Sequence, residues 1–491
     1  MSQLVNCLVE TLKREGIVFC HWKSNFHLKD ALAEGGDLDL LVDRKDAQRF
    51  ERVLATLSFK RVIDPLQSFP SLFHFYGLDN LAGILVHIHV YYRVITGESL
   101  LKNYCLPLEG LLLHNPRLIG DMPAPPLPAE LIVFVIRMML KHASLLDYML
   151  LRRGDRSGYT ELREELASLL VDDSSARSSR LLADWLPPIQ SELFYECIDA
   201  LQKDAPFIDR FRLALRLRRQ LKIYRRFRPV VATFRHARMF LTRILRHLGG
   251  TGKTKQLASG GALIAFVGPE ATGKSTLVQE TVCWLGKVFD VSTAHLGKPP
   301  STWLTFIPNL VLPLLRKATP QHRMSRVQRN LGGEDAGPVS LLYALRAVLL
   351  AWDRRALAVK VRRKAAQGGI IICDRYPSVI VGAMDSARLK VPAGAGRRGK
   401  LLDFLARLEN HLYRQIPPPD AVIRLTVPVE VAIVRNQERQ KKGKEADAYV
   451  LRRHTIDTVP TFPVSRTIEL DSNQPRAQTI SAARQIVWES L

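Results

Sequence analysis

At 491 residues, with 47% hydrophobic and 24% charged residues, the chain has a globular composition that excludes wholesale disorder. Its length exceeds one ordinary core and predicts two or three domains of about 100–200 residues each. Lys and Arg outnumber Asp and Glu, 71 to 47, for a formal net charge of +24, which favours phosphorylated or polyanionic partners or an anionic membrane surface without choosing among them. The six cysteines (Cys7, Cys20, Cys105, Cys197, Cys283, Cys373) lie far apart, with no C-x-x-C pair and no His at zinc-finger spacing, and are expected as reduced thiols in a cytoplasmic protein. The first twenty residues mix charge into an amphipathic pattern unlike a signal peptide, and no window offers the apolar length needed to span a bilayer.

Residues 1–120 alternate strand-like runs ("VFCHW", "DLDLLV", "GILVHIHVYY") with helical ones, a mixed α/β signature. Strand alternation puts Asp37 and Asp39 on one face, where two carboxylates can hold Mg²⁺ and activate a hydroxyl toward a triphosphate. The stretch "HWKSNFHLKDALAEGGDLDLLVD" resembles the nucleotidyltransferase superfamily, in which a short loop near a first strand precedes a D-x-D strand. That resemblance implies Lys23 and Ser24 near the phosphates and a third carboxylate from a later strand. The matching run carries His87 and His89 instead, poor replacements in a hard oxygen site. A nucleotidyltransferase-like fold with weak or absent transfer is therefore expected, serving to hold a substrate or partner; an active transferase, making the chain bifunctional, is the alternative.

Residues 121–248 read mostly as helix, including a packed helix in "LIVFVIRMMLKHASLLDYMLL". From Asp209 to Leu248 arginines recur throughout, with no acid after the first residue. Two readings stand: a solvated basic surface, or a face over 210–246 that binds nucleic acid or an anionic membrane. Tyr224, Phe227 and Phe234 are the few aromatics available for base stacking. Residues 249–260, rich in Gly, Ser and Lys, are expected to be a linker.

From residue 261 to 491 strands alternate with helices, predicting a parallel sheet covered on both faces. "ALIAFVGPEATGKSTLVQE" places G-x-x-x-x-G-K-S between a strand and a helix, the context of a phosphate-binding loop. Backbone N–H groups from Gly268 through Thr272, Gly273 and Thr276 would wrap ATP phosphates, with Lys274 as a point charge and the Ser275 hydroxyl on Mg²⁺. The apolar run "GGIIICDRYPS" ends at Asp374, placed to order the metal, followed by Arg375, placed to hold an incoming phosphate. Arg435 and Arg439 are four apart on an expected helix and suit a lid that closes on the transferring group. The segment "STWLTFIPNLVLPLLRK", broken by Pro308 and Pro313, is expected as core rather than as a lid or membrane-resting helix.

Together these features resemble the thymidylate kinase family of P-loop nucleoside monophosphate kinases, over Leu263 to Leu491: Glu270 inside the P-loop, a "DR" helix (Asp353, Arg354), the "DRY" loop (Asp374 to Tyr376), the R-x-x-x-R lid, and the loop "DSNQP" where this family holds adenine. The resemblance implies that Lys274 and the lid arginines stabilise the transferring phosphoryl, that Arg375 and Arg354 face the acceptor's phosphate, and that Glu270 faces its sugar. Two stretches depart from the family: "HLGKPP" stands where an Arg-Glu-Pro-Gly-like turn is expected, and "VIVGAMDSARL" where an aromatic-Gln pair is expected. The acceptor is thus left open between a nucleotide and another small molecule, and Asp385 and Arg388 are expected in a solvated loop. The contrasting reading is a polyanion-binding protein that ATP regulates. Oligomerisation is left open.

Overall fold

The computed structural model describes residues 2–28, 36–64, 69–98, 101–142, 157–171, 174–203, 205–248, 255–318, 341–378, 385–389, 396–438, 446–455 and 465–491. The chain divides into two compact units, Met1–Ala258 and Ser259–Leu491.

The first unit is built on strands β1 (Phe19–His21), β2 (Leu38–Val42), β3 (Lys60–Ile63), β4 (Leu72–Asp79) and β5 (Ile84–Tyr91), followed by two small hairpins, β6 (Val94–Thr96) with β7 (Tyr104–Leu106) and β8 (Arg117–Ile119) with β9 (Met122–Ala124). β10 (Gln256–Leu257) completes a six-stranded sheet of order β1-β2-β5-β4-β3-β10. β2 runs parallel to β5, with Asp39 opposite His89, and β4 runs antiparallel to β5, with His74 opposite His89 and Tyr76 opposite His87. Alternation then sorts the faces. Leu38, Leu40, Phe75 and Ile88 pack in one core with the helices Gln3–Arg14 and Ala47–Thr56, while Asp39, His74 and His89 fall on the opposite face.

The helices Leu127–His142, Ser191–Gln202 and Phe207–Gln220 share a second core with Trp22, Leu41 and Tyr91 of the sheet region. The α/β and helical segments expected as separate thus share one core. The expected linker is also different in its second half: Gln256 and Leu257 pair with Ile63 and Val62 of β3, and Leu257 is buried. An apolar residue beside an open sheet edge explains the docking.

In the Arg-rich segment the acids come from elsewhere in the fold. Arg218 Nη2 lies 2.9 Å from Glu98, Arg216 pairs with Glu196, Arg225 donates to the Arg218 carbonyl at 2.7 Å and Arg226 to the Lys102 carbonyl at 3.1 Å. Arg235 stacks 4.2 Å from the Phe227 ring centroid. These contacts tie helix Phe207–Gln220 and the start of helix Pro229–Leu248 to their own unit.

The second unit holds β11 (Ala262–Val267), β12 (Val291–His295), β13 (Ile370–Asp374), β14 (Ala421–Thr426) and β15 (Arg466–Asp471), all parallel, in the order β12-β13-β11-β14-β15. Helices Leu341–Ala366 and Arg397–Arg414 pack over one face, and helices Lys274–Leu285 and Arg476–Ser490 over the other, where Trp284 and Trp488 meet edge to face. Burial on both faces explains why β11 and β13 are continuously apolar rather than alternating. Helix Trp303–Ala318 differs from the expected core element: Trp303 is 88% exposed, and Phe306, Ile307 and Leu310 are exposed with it. Among the described residues no helix is long and apolar enough to cross a membrane.

Candidate active site

The order of the second sheet fixes where a ligand sits. β11 lies between β13 and β14, and the chain leaves it for opposite sides of the sheet, a switch point that opens a crevice at the carboxyl ends of these strands. The loop from Gly268 to Ser275 occupies that position and leads into helix Lys274–Leu285. Gly268 has φ 140°, and a Cβ there would stand 2.5 Å from the Leu425 carbonyl oxygen. Gly273, at φ 91°, turns the chain into the helix, whose first N–H groups and positive dipole end face the loop. Thr272 is buried and donates to the Pro269 carbonyl at 3.0 Å, while Ser275 and Thr276 are exposed. Lys274 is buried too, its ammonium donating to the Pro269 carbonyl and to Thr272 Oγ1.

Asp374 ends β13 opposite Phe266 of β11. Its Oδ2 accepts from Ser275 Oγ at 2.8 Å, and its Oδ1 is buried with no hydrogen-bond partner among the described residues. A carboxylate oxygen left bare beside a hydroxyl is an oxygen donor set of the kind Mg²⁺ takes. Ser275 and Asp374 therefore fit the ion that accompanies a nucleoside triphosphate.

Arg375 adopts φ 69°, and its N–H donates to the Phe266 carbonyl at 3.0 Å. Its guanidinium lies 3.4 Å from Glu270 Oε1 and 3.6 Å from Asp385 Oδ2. Burial works against its charge, and Asp385, Glu270 and Asp374 more than offset this, raising its pKa. Glu270 is buried between Arg375 and Arg453, whose Nε is 3.8 Å from Oε2, and its backbone carbonyl contacts His454 Nε2 at 3.0 Å. Sequence reasoning missed Arg453 and His454, on helix Asp447–Thr455; the available signal was the basic run "RRH" following the expected lid.

Two expectations are corrected. Arg354 is fully buried: its Nε donates to the Leu296 carbonyl, Nη1 to the Asp385 carbonyl and Tyr413 Oη, and Nη2 to the Gly297 carbonyl and Asp385 Oδ1. All five guanidinium donors are engaged within the protein, so Arg354 braces the wall behind the site instead of facing an acceptor. Asp385, expected in a solvated loop, has a side chain only 10% exposed and lies 2.7 Å from Arg354. Burial alone would push its carboxyl up; Arg354 and Arg375, with Arg453 and Arg388, hold it below the usual range. Arg388 is exposed, and its backbone N–H donates to Glu409. The other half of the "DR" pair, Asp353, accepts from Thr302 and Thr305 and anchors the start of helix Trp303–Ala318.

Arg435, on helix Val429–Gln437, donates to the Ser472 carbonyl at 2.9 Å, within the "DSNQP" loop. Arg439 lies outside the described residues.

In the first unit Asp37 and Asp39 stand next to imidazoles. His87 Nδ1 is 2.7 Å from Asp37 Oδ1, and His89 Nδ1 is 3.3 Å from Asp39 Oδ1, which also takes Lys23 Nζ at 2.7 Å. Lys23 thus reaches a carboxylate, and Ser24 is exposed at φ 50°.

No protein-family model matches the chain. It is 25% identical over 229 residues to the uncharacterized ATP-binding protein YghR of two Escherichia coli strains, covering 46% of this chain and 86% of each relative. It is likewise 25% identical over 242 residues to a thymidylate kinase of a Cyanothece species, covering 47% of this chain and 95% of that one. Among solved structures, a gluconokinase from Sinorhizobium meliloti matches at 14% identity and TM-score 0.24, covering 47% of this chain and 94% of that one. Thymidylate kinase from Candida albicans matches at 18% identity and TM-score 0.26, covering 47% and 90%. Just under half of the chain is therefore similar in sequence to a thymidylate kinase and to ATP-binding proteins.

Proposed function

We propose that the second unit transfers the γ-phosphoryl group of ATP to a small acceptor, a nucleotide or another phosphorylated or hydroxylated metabolite. The observation that carries this reading is the Ser275–Asp374 pair, 2.8 Å apart with a bare buried oxygen, beside the P-loop at the switch point of the sheet. Mg²⁺, when bound there, neutralises phosphate charge. Lys274, seated against its own loop, supplies the ammonium for the terminal phosphates, and the N–H groups at the helix start hold them. Arg375, flanked by Glu270 and Asp385, presents a fixed charge on the acceptor side, and Arg453 extends that wall. Arg435, docked on the Ser472 loop, belongs to an element that covers the nucleotide and excludes water. The similarity to a thymidylate kinase supports the reaction class; the departures at "HLGKPP" and after "DRYPS" leave the acceptor to experiment.

The test is ADP formation by the purified chain with ATP, Mg²⁺ and a panel of nucleoside monophosphates, sugars and sugar acids. Acceptor-dependent turnover that disappears in Lys274→Ala is the expected result. Undiminished turnover in that variant, or ATP hydrolysis indifferent to every acceptor, would overturn the kinase reading.

A further inference from the structure

The first unit carries a cluster that phosphoryl transfer does not use. Three histidines on two adjacent strands, His74 of β4 and His87 and His89 of β5, each offer a ring nitrogen, and these atoms all lie within 4.8 Å of one another. We propose that His74, His87 and His89 bind one divalent transition-metal ion, Zn²⁺ foremost, with Asp37 and Asp39 orienting two of the rings from behind.

The spacing fits the ion. His74 Nδ1 and His87 Nε2 are 3.3 Å apart. Two nitrogens on tetrahedral Zn²⁺, at bonds of about 2.0–2.1 Å, stand about 3.3–3.4 Å apart. Orientation fits as well. The Asp37 carboxylate at His87 Nδ1 and the Asp39 carboxylate at His89 Nδ1 fix the proton on those nitrogens and leave each Nε2 lone pair for the site, the carboxylate–histidine–metal arrangement that raises ligand basicity. The Tyr76 ring, stacked on His87 with centroids 4.1 Å apart and planes 5° apart, holds that imidazole in place.

His74 is 5% exposed, and its Nδ1 faces His87 Nε2 inside the fold. A three-nitrogen set suits Zn²⁺ and its neighbours, whereas Mg²⁺ takes oxygens. Three protein ligands leave a fourth position open, and the nearby Lys23, Lys102 and Lys255 favour an anion there, a hydroxide or a phosphate oxygen.

The experiment is a titration of the full-length chain, stripped with a chelator, using Co²⁺ and then Zn²⁺ against a background of millimolar Mg²⁺. One equivalent of Co²⁺ should bind with a visible ligand-field spectrum and be displaced by one equivalent of Zn²⁺. His74→Ala should weaken binding by at least ~100-fold, and Asp37→Asn by about 10–100-fold, as orienting partners do. The Asp37 side chain is 61% exposed, so its variant keeps the test decisive if His74→Ala fails to fold. Absence of stoichiometric binding over Mg²⁺, or binding in Asp37→Asn and His74→Ala as tight as in the parent, would overturn the proposal.

Discussion

Asp374 and Asp39 are both strand carboxylates, one in each unit, and the fold treats them oppositely. Asp374 meets a single hydroxyl and keeps a buried oxygen bare, whereas Asp39 is clasped by an ammonium and an imidazole. In the function proposed above, the acid with an unused buried oxygen takes the cation that arrives with the nucleotide. An acid whose charge is already matched by side chains acts on those side chains, setting the tautomer of one and the position of the other. The D-x-D spacing and the strand-end aspartate look alike in sequence; neighbours decide what each carboxylate does.

The sharpest way to break that contrast is in the second unit. Lys274→Ala should abolish measurable phosphoryl transfer, and Asp374→Asn should lower it by about 10²–10³, the scale for losing one charge-stabilising group. The thermal midpoint of Asp374→Asn should stay at or above that of the parent, since the substitution removes a bare buried charge. A fall in turnover matched by a fall in stability would mean that Asp374 is structural.

In the first unit the order of effects reverses. Asp39→Ala leaves Lys23, whose side chain is 11% exposed, without its carboxylate, and should cost about 3 kcal/mol of unfolding free energy, the low end for breaking a buried pair because Asp39 itself is 20% exposed. Chemical denaturation of the full chain measures it, and an unchanged midpoint would show that the two acids are not treated differently.

A pH profile sharpens the comparison through a third acid, Asp385, which is clasped like Asp39 but lies in the kinase-like unit. Its pKa in the folded state lies below the ordinary value of 3.8. Its contribution to stability is therefore complete above that value and is lost as pH falls through the lower folded one. Asp385→Asn should flatten the acid limb of the midpoint–pH curve while leaving its shape near neutrality unchanged. The smallest effect belongs to an exposed pair: Arg216→Gln, opposite Glu196, should change stability by under ~1 kcal/mol.

Much of the second unit was legible because its signals are local. The P-loop glycines, the apolar strand ending at Asp374 and the helix that follows are contiguous, and each element's period states its burial. What was not legible depends on distant partners. Whether Arg354 faces a substrate or a brace rests on Leu296, Gly297, Asp385 and Tyr413, which no spacing rule brings together. The arginines from 210 to 226 look unopposed along the chain because Glu98 and Glu196 pair with them from other segments. His74 escaped notice for the same reason: only the antiparallel register of β4 against β5 sets it opposite His89. Gln256 and Leu257 were hidden by composition, since a Gly- and Ser-rich neighbourhood masks a two-residue strand.

Arg375 holds a left-handed backbone, with φ 69°, just past the carboxyl end of β13. A residue with a Cβ gives up about 1–2 kcal/mol to stand there, and glycine would not. Against that gain, Arg375→Gly would leave the buried Glu270 and Asp385 carboxylates short of a cation, a loss larger than the strain it relieves. The variant is therefore expected to melt below its parent. The strained backbone is held in place by the two acids that its side chain serves.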